Sequence, residues 1–239
     1  SVGTRPVLAV ASVPSEALAE DGDLRFRLSQ LEENGAVVLH IPRLPPAKLS
    51  EMLGSFYRLP PSVVSAVMRF SEGRLIRAVL LVRYWVVRKW LVPSEAGVQL
   101  AVGLETAVPG SWQDLLHLRV QSALDSQDSP GPLAEALVSA AVLEVVPTVA
   151  MLRMISSEGL DHALASGLLQ QNGRWIEFEC DAVRDSVLSS AGSLLDLPVL
   201  HLRLAEVIQS CGSLHQDHFD GAVGLHYLAA GEPEKALSP

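Results

Sequence analysis

The order of apolar and polar residues predicts strands at the start of the chain. Residues 5–14 form an apolar run that ends at a proline, which is typical of a buried strand. Residues 24–35 have helical spacing and stop at a glycine, and residues 36–42 form a second apolar run closed by a proline. A strand, a helix and a strand in this order are typical of a parallel sheet. Two strands do not complete such a sheet, so we expect this chain to be a fragment of a larger protein.

Helical spacing takes over from Pro46 onwards. Helices are predicted over residues 46–58, residues 61–70 and a longer stretch from residue 75. Pro46 and Pro61 fit the first turn of a helix, where the missing N–H is not needed. Residues 76–92 are the longest apolar run, but four basic residues interrupt it, whereas a membrane-spanning helix needs about 20 residues with few charges. We therefore expect a buried amphipathic helix there, followed over residues 92–111 by a connector with weak strand character.

A second helical group follows the connector. Its helices are predicted near residues 111–124, 131–144, 147–155 and 158–168. Asn172-Gly173 then lies between two alternating segments, which is a strong signal for a β-hairpin, and helical spacing resumes from Asp181. Helices followed by a hairpin and a further helix are typical of a winged-helix domain. Residues 147–159 hold one arginine and no lysine, so we do not expect this domain to bind DNA.

The last part of the chain predicts helical repeats. Residues 197–212 and 218–229 have amphipathic spacing, and the start of a third helix follows the Ala230-Gly231 turn. A turn of this kind before a glutamate-rich helix start is typical of tetratricopeptide-type repeats. One such unit cannot bury its own apolar faces, so we expect the repeats to continue beyond Pro239.

Composition and charge restrict the function. The 239 residues are 49% hydrophobic, with 18 basic and 27 acidic residues and a net charge of −9, which disfavours nucleic acid as a partner. Cys180 and Cys211 are the two cysteines, so the sequence contains no disulfide framework and no paired metal-ligand spacing. His215 and His218 have helical spacing, but no further zinc ligands are fixed beside them. With no secretory signal pattern at the start, we expect a cytoplasmic protein that binds no metal and no membrane.

Catalytic phosphate chemistry is not expected from these residues. The phosphate-loop pattern GxxxxGK[ST], which cradles nucleotide phosphates and supplies a lysine and a hydroxyl, does not occur in the sequence. We therefore expect this chain alone not to hydrolyse ATP.

Several segments together carry a family resemblance. In chain order they are "FSEGRLIRAVLLVRYWV", "VPGSWQDLLHLRVQSAL", "EALVSAAVLEVVPTVAMLRMI", "RWIEFECDAVRDSVLSS", "LHLRLAEVI" and "LHYLAAGEPEKAL". This order resembles the STAND class of signal-transducing ATPases, the AAA-like regulators found in LuxR-type transcription activators and in bacterial serine/threonine kinases with ATPase and tetratricopeptide regions. In that class, exchange between ADP and ATP switches the protein between closed and open forms.

The resemblance implies a mainly α fold with a small α/β portion. Residues 1–42 would be the last strands of a truncated P-loop nucleotide-binding core, and residues 43–106 a helical lid. Residues 107–193 would be the winged helix, and residues 194–239 the start of tetratricopeptide-like repeats. The cofactor implied for the full-length protein is ATP or ADP with Mg²⁺, and none is implied for this fragment.

The resemblance also implies four nucleotide-binding positions: Gly73, Leu75, Cys180 and Asp181. The lid of that class has Gly-x-Pro, whose proline packs beside the adenine; here Leu75 replaces the proline and loses its fixed backbone angle. The winged helix of that class has a His-Asp pair, whose histidine reaches the β-phosphate; here Cys180 replaces the histidine. A neutral thiol cannot offer the charge-assisted hydrogen bond of an imidazolium.

Spacing alone gives Cys180 and Asp181 structural roles. Cys180, Val183 and Val187 share one helix face, which predicts that Cys180 is a small buried hydrophobic residue. A role near nucleotide or in redox sensing is the alternative. Asp181 is predicted to cap or begin a helix, where backbone N–H groups favour a carboxylate, and to pair with Arg184.

Two hypotheses about function follow. In the first, the chain is the regulatory region of a STAND-type ATPase and couples nucleotide state or partner binding to domain rearrangement. In the second, it is a non-enzymatic protein–protein interaction scaffold in which nucleotide sensing has been lost. Both predict protein partners at the helical repeats and at exposed apolar faces, and the same faces predict self-association.

Overall fold

The computed structural model describes residues 8–94, 97–143, 145–211 and 216–237; within these ranges it describes no side chain at residues 16, 56, 105 and 216–219. By its contacts the chain divides into two compact units, residues 1–43 and residues 44–239. Throughout the described residues the fold is mainly helical, and its strands form two small two-stranded sheets.

The first unit contains two short helices, α1 (Ser15–Glu20) and α2 (Gly22–Glu33). Asp21 caps α2, because its side chain accepts hydrogen bonds from the backbone N–H groups of Asp23 (2.9 Å) and Leu24 (3.1 Å). This capping explains why α2 begins directly after α1 ends.

The strands predicted for this unit are not formed in the described residues. Residues 8–14 and 36–42 have no regular secondary structure, and residues 5–7 lie outside the described ranges. Their apolar side chains are strongly exposed, with Val37 at 83% and Ile41 at 92%. A strand needs a neighbour to pair its backbone groups, and the described residues provide none here. The prediction of a small α/β portion was therefore wrong for these residues.

The second unit opens with three helices, α3 (Pro46–Tyr57), α4 (Pro61–Ser71) and α5 (Leu75–Val87). The predicted first-turn prolines are confirmed, since Pro46 and Pro61 each begin their helix. A hairpin follows, in which β1 (Leu91–Ser94) pairs antiparallel with β2 (Gly97–Leu100). The predicted connector therefore contains a sheet and then the short helix α6 (Leu104–Ala107).

The remaining elements follow the predicted order closely. They are α7 (Trp112–Asp125), α8 (Pro130–Val142), α9 (Val149–Ala165), β3 (Leu169–Asn172), β4 (Trp175–Phe178), α10 (Asp181–Leu194), α11 (Leu197–Cys211), α12 (Gln216–Ala229) and α13 (Pro233–Ala236). The loop between β3 and β4 is Gly173-Arg174, one residue later than predicted. Gly173 has φ 62°, a value that suits glycine in a tight hairpin.

Two predicted helices are joined in α9. The backbone leaves helical geometry at Ser156 (φ −151°, ψ 93°), between the two predicted ranges. The Ser156 hydroxyl donates to the carbonyl of Pro132, 3.0 Å away at the start of α8. A side-chain hydrogen bond across the helix pair therefore accompanies the kink.

The core of the second unit is apolar and continuous. Trp85 of α5 is fully buried, and its Nε1–H donates to the carbonyl oxygen of Ala107 at 2.6 Å. The buried faces of α8 and α9 pack against each other, and a side chain at Gly159 would overlap the carbonyl oxygen of Pro132. Close approach of these two helices therefore requires glycine at position 159.

The helices of the described residues are all too short or too polar to cross a bilayer.

We predict that Gly159→Ala destabilises the protein. The added methyl group would collide with backbone that cannot rotate away, and overpacking of this kind costs about 1 to 3 kcal/mol. Gly54→Ala in α3 is the matched control, because nothing lies within 4 Å of the added carbon, and an alanine in a helix is favoured by about 0.5 to 1 kcal/mol. Urea unfolding of both variants checks the prediction. A Gly159→Ala midpoint at or above the wild-type value would contradict it.

Candidate functional site

The four residues implied by the family resemblance lie at two helix starts. Gly73 has φ 77° in the turn before α5, and its carbonyl oxygen accepts from the N–H of Leu44 at 3.0 Å. Leu75 is the first residue of α5 and is 37% exposed. Cys180 is the N-cap residue of α10, and Asp181 is the first residue of that helix. Among the described residues, no hydrogen bond or ion pair joins Gly73 or Leu75 to Cys180 or Asp181.

Cys180 is half-buried, and its side chain caps no backbone N–H of α10. It packs against the core, as Val183 and Val187 do at 0% exposure on the same helix face. The predicted pair of Asp181 with Arg184 is not formed: Arg184 Nε donates instead to the carbonyl oxygen of Ala141 at 3.1 Å. Cys180 thus lies at the edge of the apolar core, next to a charged residue.

That charged residue is Glu179, which was not among the functional residues predicted from the sequence. Its side chain is only 4% exposed, and its N–H donates to the carbonyl oxygen of Leu168 at 3.1 Å. The carboxylate forms ion pairs with Arg83 of α5 and with Arg119 of α7, where Nη2 lies 2.6 Å from Oε2. We call Arg83, Arg119 and Glu179 the Glu179 cluster.

The Glu179 cluster has an excess of positive charge. Its two guanidinium groups share one carboxylate. Within the described part of the chain, Arg119 Nη1 and Glu179 Oε2 are both buried without a hydrogen-bond partner, although Oε2 forms the ion pair with Nη2. Burial, together with the neighbouring positive charge of Arg83, lowers the pKa of Arg119 to about 10, and Cys180 acts in the opposite direction. Arg119 is therefore still protonated at neutral pH. Because a buried charge is costly unless it is paired, Glu179 and Arg119 depend strongly on each other.

The helical spacing of α7 contained one signal for this cluster, namely an arginine at position 119 on the apolar face. Leu115 and Arg119 are four residues apart and share the buried face of α7. A lone arginine on an apolar helix face is unfavourable without an acidic partner. Glu179 was harder to find, because it follows β4 directly and its spacing of two residues from exposed Glu177 predicts the same exposed face.

A second pair of titratable groups joins α11 to α12. Nδ1 of His201 lies 2.7 Å from Nδ1 of His226, so one ring donates its N–H to the other. His226 is 1% exposed. Burial, together with the neighbouring His201, lowers the pKa of His226 to about 4. Both helices are therefore packed around a histidine that is neutral at pH 7.

Within the described residues, no group of three or more histidine, cysteine, aspartate or glutamate side chains is arranged to hold a metal ion. The histidine pair considered from the sequence, His215 and the side chain of His218, lies outside the described residues.

We predict that stability falls as the pH drops from about 6.5 to about 4. The folded-state pKa of His226 is about 4, below its ordinary value of 6.5, so the unfolded chain binds the proton first and protonation favours unfolding. Urea midpoints at pH 7.5 and pH 5 measure this loss. His226→Leu should reduce the difference between the two midpoints, whereas His117→Asn, at an exposed position, should leave it unchanged. An equal pH dependence in wild type and His226→Leu would contradict the prediction.

Comparison of the chain with protein-family models, with curated proteins and with solved structures gives no match.

Proposed function

We propose that this chain is the regulatory region of a STAND-type signalling ATPase, in which nucleotide state or partner binding changes how its helical groups pack. The order of elements supports the proposal. Helices α3 to α5 fall within the residues that the resemblance assigns to a lid, and α7 to α10 with the β3–β4 hairpin fall in the stretch that it assigns to a winged helix. Helices α11 to α13 follow in the residues that it assigns to the first repeats.

One observation carries the proposal: the Glu179 cluster joins these two groups through charge. Arg83 belongs to the lid-like helices, whereas Arg119 and Glu179 belong to the hairpin-containing group. Separation of the groups would remove Arg83 and leave the buried Arg119–Glu179 pair with altered solvation. A switch requires such a difference in contacts between its two states.

One further contact crosses the same boundary. The guanidinium of Arg77 in α5 lies 5.5 Å from the ring centroid of Trp112 in α7, which is within the range of a cation–π interaction. Within the lid-like helices the Arg77 side chain also pairs with Glu72 at 2.8 Å. The contact between Arg77 and Trp112 is partly exposed, so it contributes modestly and would exchange with water at low cost when the groups separate.

The nucleotide would be ATP or ADP with Mg²⁺, bound in the full-length protein. Gly73, Leu75, Cys180 and Asp181 are the residues of this chain that the family resemblance assigns to it. The phosphate-loop pattern does not occur in these residues, so residues 1–239 are proposed to sense nucleotide and not to hydrolyse it.

We predict that Glu179→Gln loosens α5 and α7 together. Glutamine keeps the shape of the side chain but leaves two arginines without their counter-charge, and loss of one partner from a buried ion pair costs about 3 to 5 kcal/mol. Amide hydrogen exchange followed by mass spectrometry should show protection in both helices falling by about tenfold or more. Glu177→Gln, an exposed change two residues earlier, is the matched control.

Two results would contradict coupling through this cluster. One is faster exchange in Glu179→Gln that is confined to β4 and α10, with α5 unchanged. The other is an equal effect of Glu177→Gln and Glu179→Gln on α5.

A second candidate function is a non-enzymatic interaction scaffold. The observation that favours it is the environment of Cys180, whose half-buried side chain packs against the core. The family resemblance would assign a histidine to this position. The last helices would provide the partner surface. They carry exposed apolar side chains at Leu225 (54%), Leu228 (56%) and Leu237 (87%).

Cys180→His in the natural full-length protein distinguishes the two functions. If the position faces nucleotide, an imidazolium should tighten ADP binding by about tenfold, as expected of a new charge-assisted hydrogen bond. Calorimetric titration with ADP measures this, and Cys211→His is the control because Cys211 is also a half-buried thiol. Unchanged ADP affinity, or no ADP binding by either protein, would favour the scaffold.

A further inference from the structure

A cavity of about 420 Å³ lies beside the Glu179 cluster. Its walls come from the last turns of α5, from Arg119 of α7, and from the segment that joins the end of α9 to β3. Cavities of about 300 to 1,000 Å³ commonly hold small organic ligands in proteins. The size and position of this cavity therefore suit a small molecule that reaches the two arginines.

The lining has an apolar side and a cationic side. Val86, Val87, Leu164 and Leu169 form apolar surface, while Gln170 and Gln171 provide neutral polar groups. Among the described residues that line it, the charged ones are both arginines, Arg83 and Arg119, and none is a carboxylate. A ligand with an apolar body and a negatively charged head would match both sides.

Arg119 contributes charge to this cavity from beneath its surface. Its side chain is 5% exposed, and its Nη1 is buried without a hydrogen-bond partner among the described residues. Oε2 of Glu179 is also buried without a hydrogen-bond partner there, although it lies 2.6 Å from Arg119 Nη2. An anion in the cavity would therefore contact the half-exposed Arg83 and interact with Arg119 through its charge.

The charge count points the same way. Arg83 and Arg119 carry two positive charges, and Glu179 supplies one negative charge. One positive charge is left beside the cavity, and the burial of Arg119 and Glu179 reduces the screening of that charge by water. A singly charged carboxylate would neutralise it, and a phosphate monoester, with a charge of about −1.5 to −2, would more than neutralise it.

We propose that this cavity binds a small organic anion, with a carboxylate or phosphate head at Arg83 and Arg119 and an apolar body against Val86, Val87 and Leu164. The proposal does not depend on the function proposed above. It requires no nucleotide, no domain movement and no residue outside this chain.

Four small molecules test separately how the anionic head and the apolar body contribute to binding. Benzoate and phenyl phosphate combine an anionic head with an apolar ring, benzyl alcohol has the ring without the charge, and inorganic phosphate has the charge without the ring. In calorimetric titrations of the 239-residue chain, we expect benzoate or phenyl phosphate to bind with a Kd of about 1 mM or tighter. The other two probes should bind at least about tenfold more weakly, since each lacks one half of the contact. The stronger of the two aromatic anions identifies the head group.

Variants at exposed positions test the location without unfolding the protein. Val86 is 54% exposed on the wall of the cavity; Val86→Asp adds a negative charge there and should weaken anion binding by about tenfold, whereas the neutral Val86→Asn should change it much less. Arg83 has a half-exposed side chain, and Arg83→Gln should weaken binding by a similar factor. Arg153→Gln is its control, because Arg153 is equally exposed but pairs with Asp161 elsewhere on α9.

Several results would overturn the proposal. These are the absence of binding by both aromatic anions, equal binding of benzyl alcohol, or unchanged anion affinity in Val86→Asp and Arg83→Gln. A loss in Arg153→Gln as large as that in Arg83→Gln would also overturn it, because the effect would then follow net charge and not this cavity. The hydrogen-exchange result for Glu179→Gln bears on the proposed switch alone, so the two proposals fail separately.

Discussion

A single buried carboxylate, that of Glu179, holds together parts of the chain that lie about 60 to 100 residues apart in sequence. Its carboxylate forms ion pairs with Arg83 of α5 and Arg119 of α7. Its backbone N–H donates a hydrogen bond to the carbonyl oxygen of Leu168. Neither arginine has another acidic partner in the described structure, so the burial of Arg119 depends on this one group. Apolar packing brings the helices together, but Glu179 determines which of their faces are electrostatically compatible.

The imbalance within the Glu179 cluster connects the two proposals. A carboxylate that serves two guanidinium groups leaves each incompletely paired, and this makes the arrangement sensitive to any competing anion. The contact between the two helical groups and the cavity beside it therefore use the same arginines. An anion in the cavity that neutralises Arg83 or Arg119 would weaken the ion pair between that arginine and Glu179.

Local signals predicted the helices well, and non-local features were predicted poorly. Pro46, Pro61 and the Asn172-Gly173 signal act through their own backbone angles, so helix starts and the hairpin could be recognised from sequence. The strands over residues 5–14 and 36–42 depended on partners that apolar spacing cannot supply. Glu179 was missed for a related reason: strand alternation predicts its exposure as it does for Glu177, and only the arrival of Arg83 and Arg119 from other helices makes its burial possible.

The close contact at Gly159 limits how α8 and α9 can move relative to each other. With the Pro132 carbonyl lying where a Cβ would be, and with Ser156 bonded to the same oxygen, the two helices have no free space in which to slide past each other. Sliding of α9 along α8 at this point would drive Gly159 against the Pro132 carbonyl or break the Ser156 hydrogen bond. The contact therefore fixes the register of the two helices, with α11 packed along α9 and α10 along α8.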